Sequence, residues 1–415
     1  MRDIERIQRP ATLIVEDDDF QRRTLVRMVR RLDNGPVLEA RDGVEALRFL
    51  EDKPHGIGLI LCDLDMPNMD GLELVRHLDR SGGRTGLAIT SAQDPQVLSS
   101  AETMCLAYGI EPLGILRKPI LPRHVEDLVR KNAARHGTPC TTGCGGRAHC
   151  ACSTPATASG PEPIAIEEIL EGLAEHQFVP FFQPKVALED GQVVGVEALA
   201  RWQHPQRGTI GPGAFIAQME EAGRIGALTA TMLHQAAAAR RRWQDAGIEL
   251  TVSVNLSQIS LASVGLADRV TDIICTAGSR PQDVILEITE TAAMTEVGLS
   301  LENLTRLRMR GFGLSIDDFG TGYAGMQQLG RVPFSELKID RGYVSGMHCR
   351  RDARAIVDAS IGIARRMGMT CVAEGIETAQ EWEALREAGC DVAQGYYMAR
   401  PLAEDALLAF CLERL

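Results

Sequence analysis

Short apolar runs recur through the first third of the chain, and each leads into a stretch with helical spacing. "ATLIV" precedes a helix over about 20–33, "PVLEA" precedes "DGVEALRFLED", and "GLILCD" precedes "DGLELVRHLDR". "GLAIT" precedes a helix near 96–108, and "LGILRK" precedes "LPRHVEDLVRKNAAR". Such strand–helix alternation predicts a doubly wound parallel sheet over residues 10–136, with helices on both faces. Residues 137–163 are rich in Gly, Pro, Ser, Thr and Ala, lack apolar periodicity and predict a flexible linker. Over 164–415 a second series opens with two strand-like runs around Asp190-Gly191, a hairpin signal that makes the first strand antiparallel. Strand and helix then alternate through "LTVSVNLS", "VILEITE", "FGLSIDDFG", "ELKIDRG", "TCVAEGIE" and "AQGYYMARPL". About eight strands in about 250 residues predict a modified (βα)8 barrel, so the fold class is α/β throughout.

Composition narrows the partners. The chain has 415 residues, 45% apolar and 24% charged, which is ordinary for globular domains. A net charge of −12 argues against nonspecific binding to nucleic acid or an anionic membrane surface. No helix-turn-helix pattern or basic patch points to DNA. No apolar run approaches the ~20 residues that span a bilayer, and "MRDIERIQRP" lacks a signal core, so a cytoplasmic protein is expected. Seven of the 11 cysteines are scattered singly. Cys140, Cys144, Cys150 and Cys152 cluster in the linker with His149. Their spacing fits no common zinc pattern, and incidental cysteines in a flexible linker are the favoured reading over metal binding or redox sensing.

In the first domain, acids fall at ends of expected strands: Glu16 and Asp17 after "LIV", and Asp63 after "LILC". Ser91 ends the fourth strand and Lys118 the fifth. Ligands of open α/β sheets bind at this edge, and clustered carboxylates there suit Mg²⁺. The ordered set "VEDDD", "CDLDMPNMDG", "SA" and "RKP" resembles the receiver domain of response regulators, a flavodoxin-like fold. The resemblance implies that Asp63 accepts a phosphoryl group from a histidine kinase or phosphotransfer protein. It also implies that Glu16 and Asp17 help hold one Mg²⁺, and that Ser91 and Lys118 contact the phosphoryl group. Receivers usually carry an aromatic residue three positions before the lysine, where this chain has Ile115. The usual hydroxyl–aromatic coupling is therefore not expected in its ordinary form.

In the second domain, polar residues interrupt the strand-like runs near their C-terminal ends. They are Glu197, Asn255, Glu287, Asp317, Asp318, Lys338, Glu374 and Gln394. Barrel active sites are built on this rim, and converging oxygens there suit Mg²⁺ or Mn²⁺. The adjacent acids of "SIDDFGTG" pose a geometric demand, because neighbouring strand residues face opposite ways. Both reach one site only if the pleat breaks at or just before Asp318.

These motifs resemble the EAL family of cyclic-di-GMP phosphodiesterases, over about 164–415. The resemblance implies a TIM-like barrel and two cations. Glu197, Asn255, Glu287 and Asp317 would ligate the first, and Asp317 would bridge to a second held also by Asp318. It implies Glu374 as general base or water-orienting carboxylate and Lys338 as its cationic partner. Gln183, Arg201 and Gln394 would contact substrate, while Glu290, Asp340 and Glu377 would support the "DDFGTG" loop and the second-metal side. The implied reaction converts cyclic di-GMP to linear pGpG, in a protein that self-associates as a dimer or higher oligomer. Phosphorylation of Asp63 is expected to modulate it, with 317–326 as the candidate two-state element. The alternatives are a catalytically inactive cyclic-di-GMP receptor and a scaffold in which only the receiver acts.

Overall fold

The computed structural model describes residues 10–32, 35–52, 56–78, 85–135, 164–289, 297–320 and 329–413. The chain divides into two compact units, 1–162 and 163–415. Glu290, the linker cysteines, His149 and residues 321–326 lie outside the described residues. Among the described residues no helix is long and apolar enough to cross a membrane.

In the first unit, β1 (Ala11–Val15), β2 (Val37–Ala40), β3 (Ile57–Asp63), β4 (Gly86–Ser91) and β5 (Gly114–Arg117) form a parallel sheet in the order β2-β1-β3-β4-β5. This is the flavodoxin-like order, whose switch point lies between β1 and β3. β1 and β3 are buried along their whole length, which is why they read as unbroken apolar runs. Ile14, Leu59, Leu61 and Ala88 pack on Leu25, Val26 and Val29 of helix Asp19–Leu32 and on Val125 and Leu128 of helix Pro122–Arg135. Fully burying each such aliphatic side chain contributes roughly 1.5–3 kcal/mol.

The second unit is a closed barrel. Its strands are β6 (Phe178–Ala187), β7 (Val193–His204), β9 (Thr251–Asn255), β10 (Val284–Thr289), β11 (Gly313–Phe319), β12 (Glu336–Ile339), β13 (Thr370–Ala373) and β14 (Val392–Gln394). β6 runs antiparallel to both neighbours, β7 and β14, and closes the ring, while the other contacts around it are parallel. The reversed strand follows from the hairpin, whose Gly191 has φ +76° and whose Asp190 side chain accepts from Gln192 N at 3.0 Å. A short strand the sequence reading did not contain, β8 (Gly208–Ile210), pairs with the end of β7 outside the ring.

Period-two alternation sorts the barrel's side chains. Val252 and Val254, Leu286 and Ile288, Leu314 and Ile316, and Leu337 and Ile339 are all buried apolar positions. Between them, on the opposite face, stand Ser253 and Asn255, Glu287, Ser315 and Asp317, and Glu336 and Lys338. The strands therefore turn one apolar row to the surrounding helices and one polar row inward.

Candidate active site

The polar row converges on Lys338 of β12, whose side chain is 1% exposed. Its Nζ lies 2.5 Å from Glu374, 2.8 Å from Glu287, 3.2 Å from Asp317 and 3.4 Å from Glu197. Those four carboxylates come from β7, β10, β11 and the residue after β13. Asn255, ending β9, donates to Glu197 at 2.9 Å, and Gln394, ending β14, donates to it at 2.6 Å. Gln394 also donates to Gln183 Oε1 at 3.2 Å, and Gln183 in turn donates to Ala399 O. The oxygen of the Gln394 amide, Oε1, is buried and finds no partner among the described residues.

The pleat breaks where the two adjacent acids require it. Asp318 has φ +55°, and the pairing of β11 with β12 slips between Ile316 and Phe319. A non-glycine residue in this region is strained by roughly 1–2 kcal/mol, least so for Asp and Asn. Asp318 N donates to Asp317 Oδ1 at 3.0 Å. Carboxylate oxygens of Asp317, Asp318 and Glu374 then lie within 4.8 Å of one another.

The acids do not share one electrostatic fate. Burial works against the charge of Glu287, but Lys185 and Lys338 outweigh it and pull its pKa down to about 2. Burial pushes Glu374 up to about 8; Lys338 opposes this, while Asp317, Glu197 and Glu287 add to it. Burial, with Glu287 beside it, also raises Glu197, and burial with Asp317 and Asp340 raises Asp318. Lys338 is raised well above its ordinary value, since its four acids overcome its burial. Six carboxylates (Glu197, Glu287, Asp317, Asp318, Glu336 and Glu374) thus face two ammonium groups, Lys338 and Lys185. That surplus of hard oxygen donors suits divalent cations such as Mg²⁺ or Mn²⁺.

A cavity of about 240 Å³ opens over these groups, lined by Gln183, Glu197, Leu199, Asp317, Lys338, Arg341, Glu374, Gly375, Glu377, Gln394, Gly395 and Tyr396. Gly395 has no room for a side chain: an added Cβ would stand 2.2 Å from the carbonyl oxygen of Ile376. Arg341 and Glu377 form an ion pair at 2.8 Å. Asp340 caps helix Arg341–Val344 by accepting from Gly342 N at 2.9 Å. Arg201 does not line this cavity. Its guanidinium donates to Ala200 O at 2.8 Å and lies over the Phe181 ring, 5.9 Å from its centroid.

Sequence reasoning missed Lys185, Glu336, Arg341 and Tyr396. Lys185 is buried in β6, inside the apolar run "FFQPKVAL", and Glu336 begins β12. A search confined to strand ends passes over both. Their signal was parity, since each lies two residues from a rim position.

The first unit repeats the motif at smaller scale. Lys118 Nζ lies 2.7 Å from Asp63 and 2.9 Å from Glu16 at the β1/β3 switch point. Oxygens of Glu16, Asp17 and Asp63 lie within 4.8 Å of one another. Burial raises both Asp63 and Glu16, against the pull of Lys118. Ser91 Oγ accepts from Gln93 N at 3.1 Å, and Ser91 O accepts from Lys118 N at 2.8 Å. Ile115 is half-buried in β5, paired with Ile89. Arg22, also missed, is buried and donates to the carbonyls of Glu16 and Asp17, fixing the acidic turn.

Residues 166–401 match the EAL domain, and residues 12–130 match the response regulator receiver domain. The chain belongs to the EAL family. This EAL chain is 35% identical over 400 residues to the cyclic di-GMP phosphodiesterase RocR of Pseudomonas aeruginosa, covering 96% of this chain and 98% of that one. It is 40% identical over 245 residues to the bifunctional diguanylate cyclase/cyclic di-GMP phosphodiesterase MucR of the same organism, of which it covers 36%. Its EAL part is similar to the solved PaMucR phosphodiesterase in complex with c-di-GMP, at a TM-score of 0.56 and 40% identity, covering 58% of this chain and 98% of that one. It is also similar to the EAL enzyme Bd1971 in its cAMP- and cyclic-di-GMP-bound form, at a TM-score of 0.57 and 30% identity, covering 59% of this chain and 67% of that one.

Proposed function

We propose that this chain is a cyclic-di-GMP phosphodiesterase that hydrolyses one phosphodiester bond to give linear pGpG, under control of phosphorylation at Asp63. The observation that carries this reading is the convergence of carboxylates from separate strand ends on one buried lysine, beneath a cavity of about 240 Å³. Glu197, Asn255, Glu287 and Asp317 hold a first divalent cation, and Asp317 and Asp318 hold a second. Two such cations lower the pKa of a water and neutralise charge on a phosphodiester. Glu374, lifted by burial, accepts the proton of the attacking water or orients it. Lys338 supplies a fixed positive charge beside the reacting phosphate. Gln183, Arg201 and Gln394 contact the substrate, and the unpartnered amide oxygen of Gln394 is suited to a ligand donor. Glu290, Asp340 and Glu377 support the loop and the rim.

The receiver spans 10–136, the linker 137–163 and the EAL domain 164–415. Asp63 takes a phosphoryl group from a kinase or phosphotransfer protein, Glu16 and Asp17 hold Mg²⁺, and Ser91 and Lys118 contact the group. The protein works in the cytoplasm as a dimer or higher oligomer. The test is turnover of cyclic di-GMP with Mg²⁺, with and without a small-molecule phosphoryl donor, in wild type and Asp63→Ala. A linear product, formed at a rate the donor changes only in wild type, supports the reading. Binding without product makes the chain a receptor instead, and equal rates throughout remove the coupling. Glu374→Gln is expected to keep cyclic-di-GMP binding and lose about 10³-fold in turnover.

A further inference from the structure

Lys185 is fully enclosed in the barrel, two residues along β6 from Gln183 and therefore on the same face. An ammonium has three donors, and all three are used. Nζ donates to Ser253 Oγ at 2.7 Å, to Glu336 Oε1 at 2.8 Å and to Glu287 Oε1 at 2.9 Å. The two carboxylates share the work unequally. Glu336 stands two residues before Lys338, a layer further from the rim, and Lys185 is its ion-pair partner. Glu287 is different because its two oxygens are divided: Oε1 goes to Lys185 below, and Oε2 to Lys338 at the rim, at 2.8 Å.

A saturated ammonium has one orientation, so it dictates which oxygen of Glu287 points inward and which faces the rim. Stability does not account for such an arrangement. A buried ion pair commonly does no better than well-packed apolar side chains of the same volume.

We infer that Lys185 is a positioning residue for the cation site: with Ser253 it locks Glu287 so that a single oxygen is presented to the rim. This rests on the proposed divalent-cation site, and it adds to that site a residue from the layer beneath. Groups that orient a metal's ligands from behind are commonly worth about 10–100-fold in metal affinity.

The experiment is Mn²⁺ titration of the full chain by calorimetry and by electron paramagnetic resonance, with thermal unfolding alongside. Asp317→Asn identifies which part of the binding belongs to the barrel. If wild type has no barrel component, the cation site itself fails, separately from the role of Lys185. Lys185→Met is expected to weaken the barrel component at least about tenfold. It also leaves Glu336 without its cation and Glu287 with Lys338 alone, so a loss of stability accompanies it. The deciding variant is Lys185→Met/Glu336→Leu, which removes a complete ion pair and leaves no added charge imbalance. It is expected to regain most of the lost thermal stability and still bind Mn²⁺ at least about tenfold more weakly than wild type. Glu336→Gln, which leaves the bond from Lys185 to Glu287 in place, is expected to stay within about threefold of wild type, since it changes no contact to a ligand. Full recovery of Mn²⁺ affinity in the double variant would overturn the inference and reduce Lys185 to a counter-ion for Glu336.

Discussion

The molecule builds the same device twice. In each unit acids at the ends of parallel strands gather around one lysine. In the receiver, Lys118 keeps 14% of its side chain exposed and bridges two acids from neighbouring strands. In the barrel, Lys338 is 1% exposed and meets four, drawn from around a closed ring. Closure makes the difference. The open sheet here gathers its acids only from the two strands flanking its switch point, whereas a ring aims every strand end at a common axis. The barrel therefore collects more charge than one lysine neutralises, and it carries a second buried lysine beneath.

The sharpest way to break that comparison is to remove each lysine. Lys338→Met takes the shared cation from four acids, of which Glu287 alone keeps Lys185, and is expected to cost about 3–5 kcal/mol of barrel stability. The same variant is expected to lose about 10²–10³-fold in turnover. Lys118→Met strands two acids, half as many and beside a lysine that itself keeps 14% of its side chain exposed, and is expected to cost only roughly 1–3 kcal/mol. Calorimetry of the full chain reads both, and equal losses would show that ring closure does not matter. Next in size is Gly395→Ala. Its new methyl meets the backbone of Ile376 rather than a movable side chain, so a loss of about 2–3 kcal/mol is expected, with weaker substrate binding. Unchanged melting and KM would show that the rim is softer than its contacts suggest.

Asp318→Asn comes third. Asn tolerates the left-handed backbone but removes one charge, so barrel Mn²⁺ affinity should fall about tenfold while the melting temperature moves by only a few degrees. A fall in stability larger than the fall in affinity would mean that Asp318 serves the backbone and not an ion. The smallest effect is expected at Glu381, which accepts from the backbone N–H groups of Gly346, Glu377 and Thr378 behind the rim. Burial opposes its charge, but these bonds win and lower its pKa. A lowered carboxyl stabilises the fold above its unfolded pKa, and that stability is lost as pH falls through its folded pKa. Glu381→Gln should therefore cost about 1 kcal/mol at neutral pH, with the gap to wild type closing below about pH 4. A gap that stayed constant with pH would remove the carboxylate charge from the account.

Much of this was legible from pattern. The strand–helix alternation carried both folds, and Asp190-Gly191 carried the reversed first strand. The rim residues could be read because a polar residue ending an apolar run is conspicuous. Lys185 and Glu336 escaped because a layer below the rim looks like core in a linear reading, and only the inward parity of the strands separates it from core. Arg201 was named by resemblance and not by pattern; its guanidinium lies over Phe181 and does not line the cavity. The three-residue β8 was too short to carry a period.

The left-handed residue at Asp318 has a consequence for how such a site is spelled. A regular strand sends consecutive letters of the sequence to opposite readers, so two ligands need three positions. One rotated peptide lets two consecutive letters address the same reader. With Asp318 extended, Asp317 would stay on the inner face and Asp318 would turn outward. One rotated peptide, with the extra residue it gives β11 before Phe319, thus separates a rim with two adjacent acids from a rim with one.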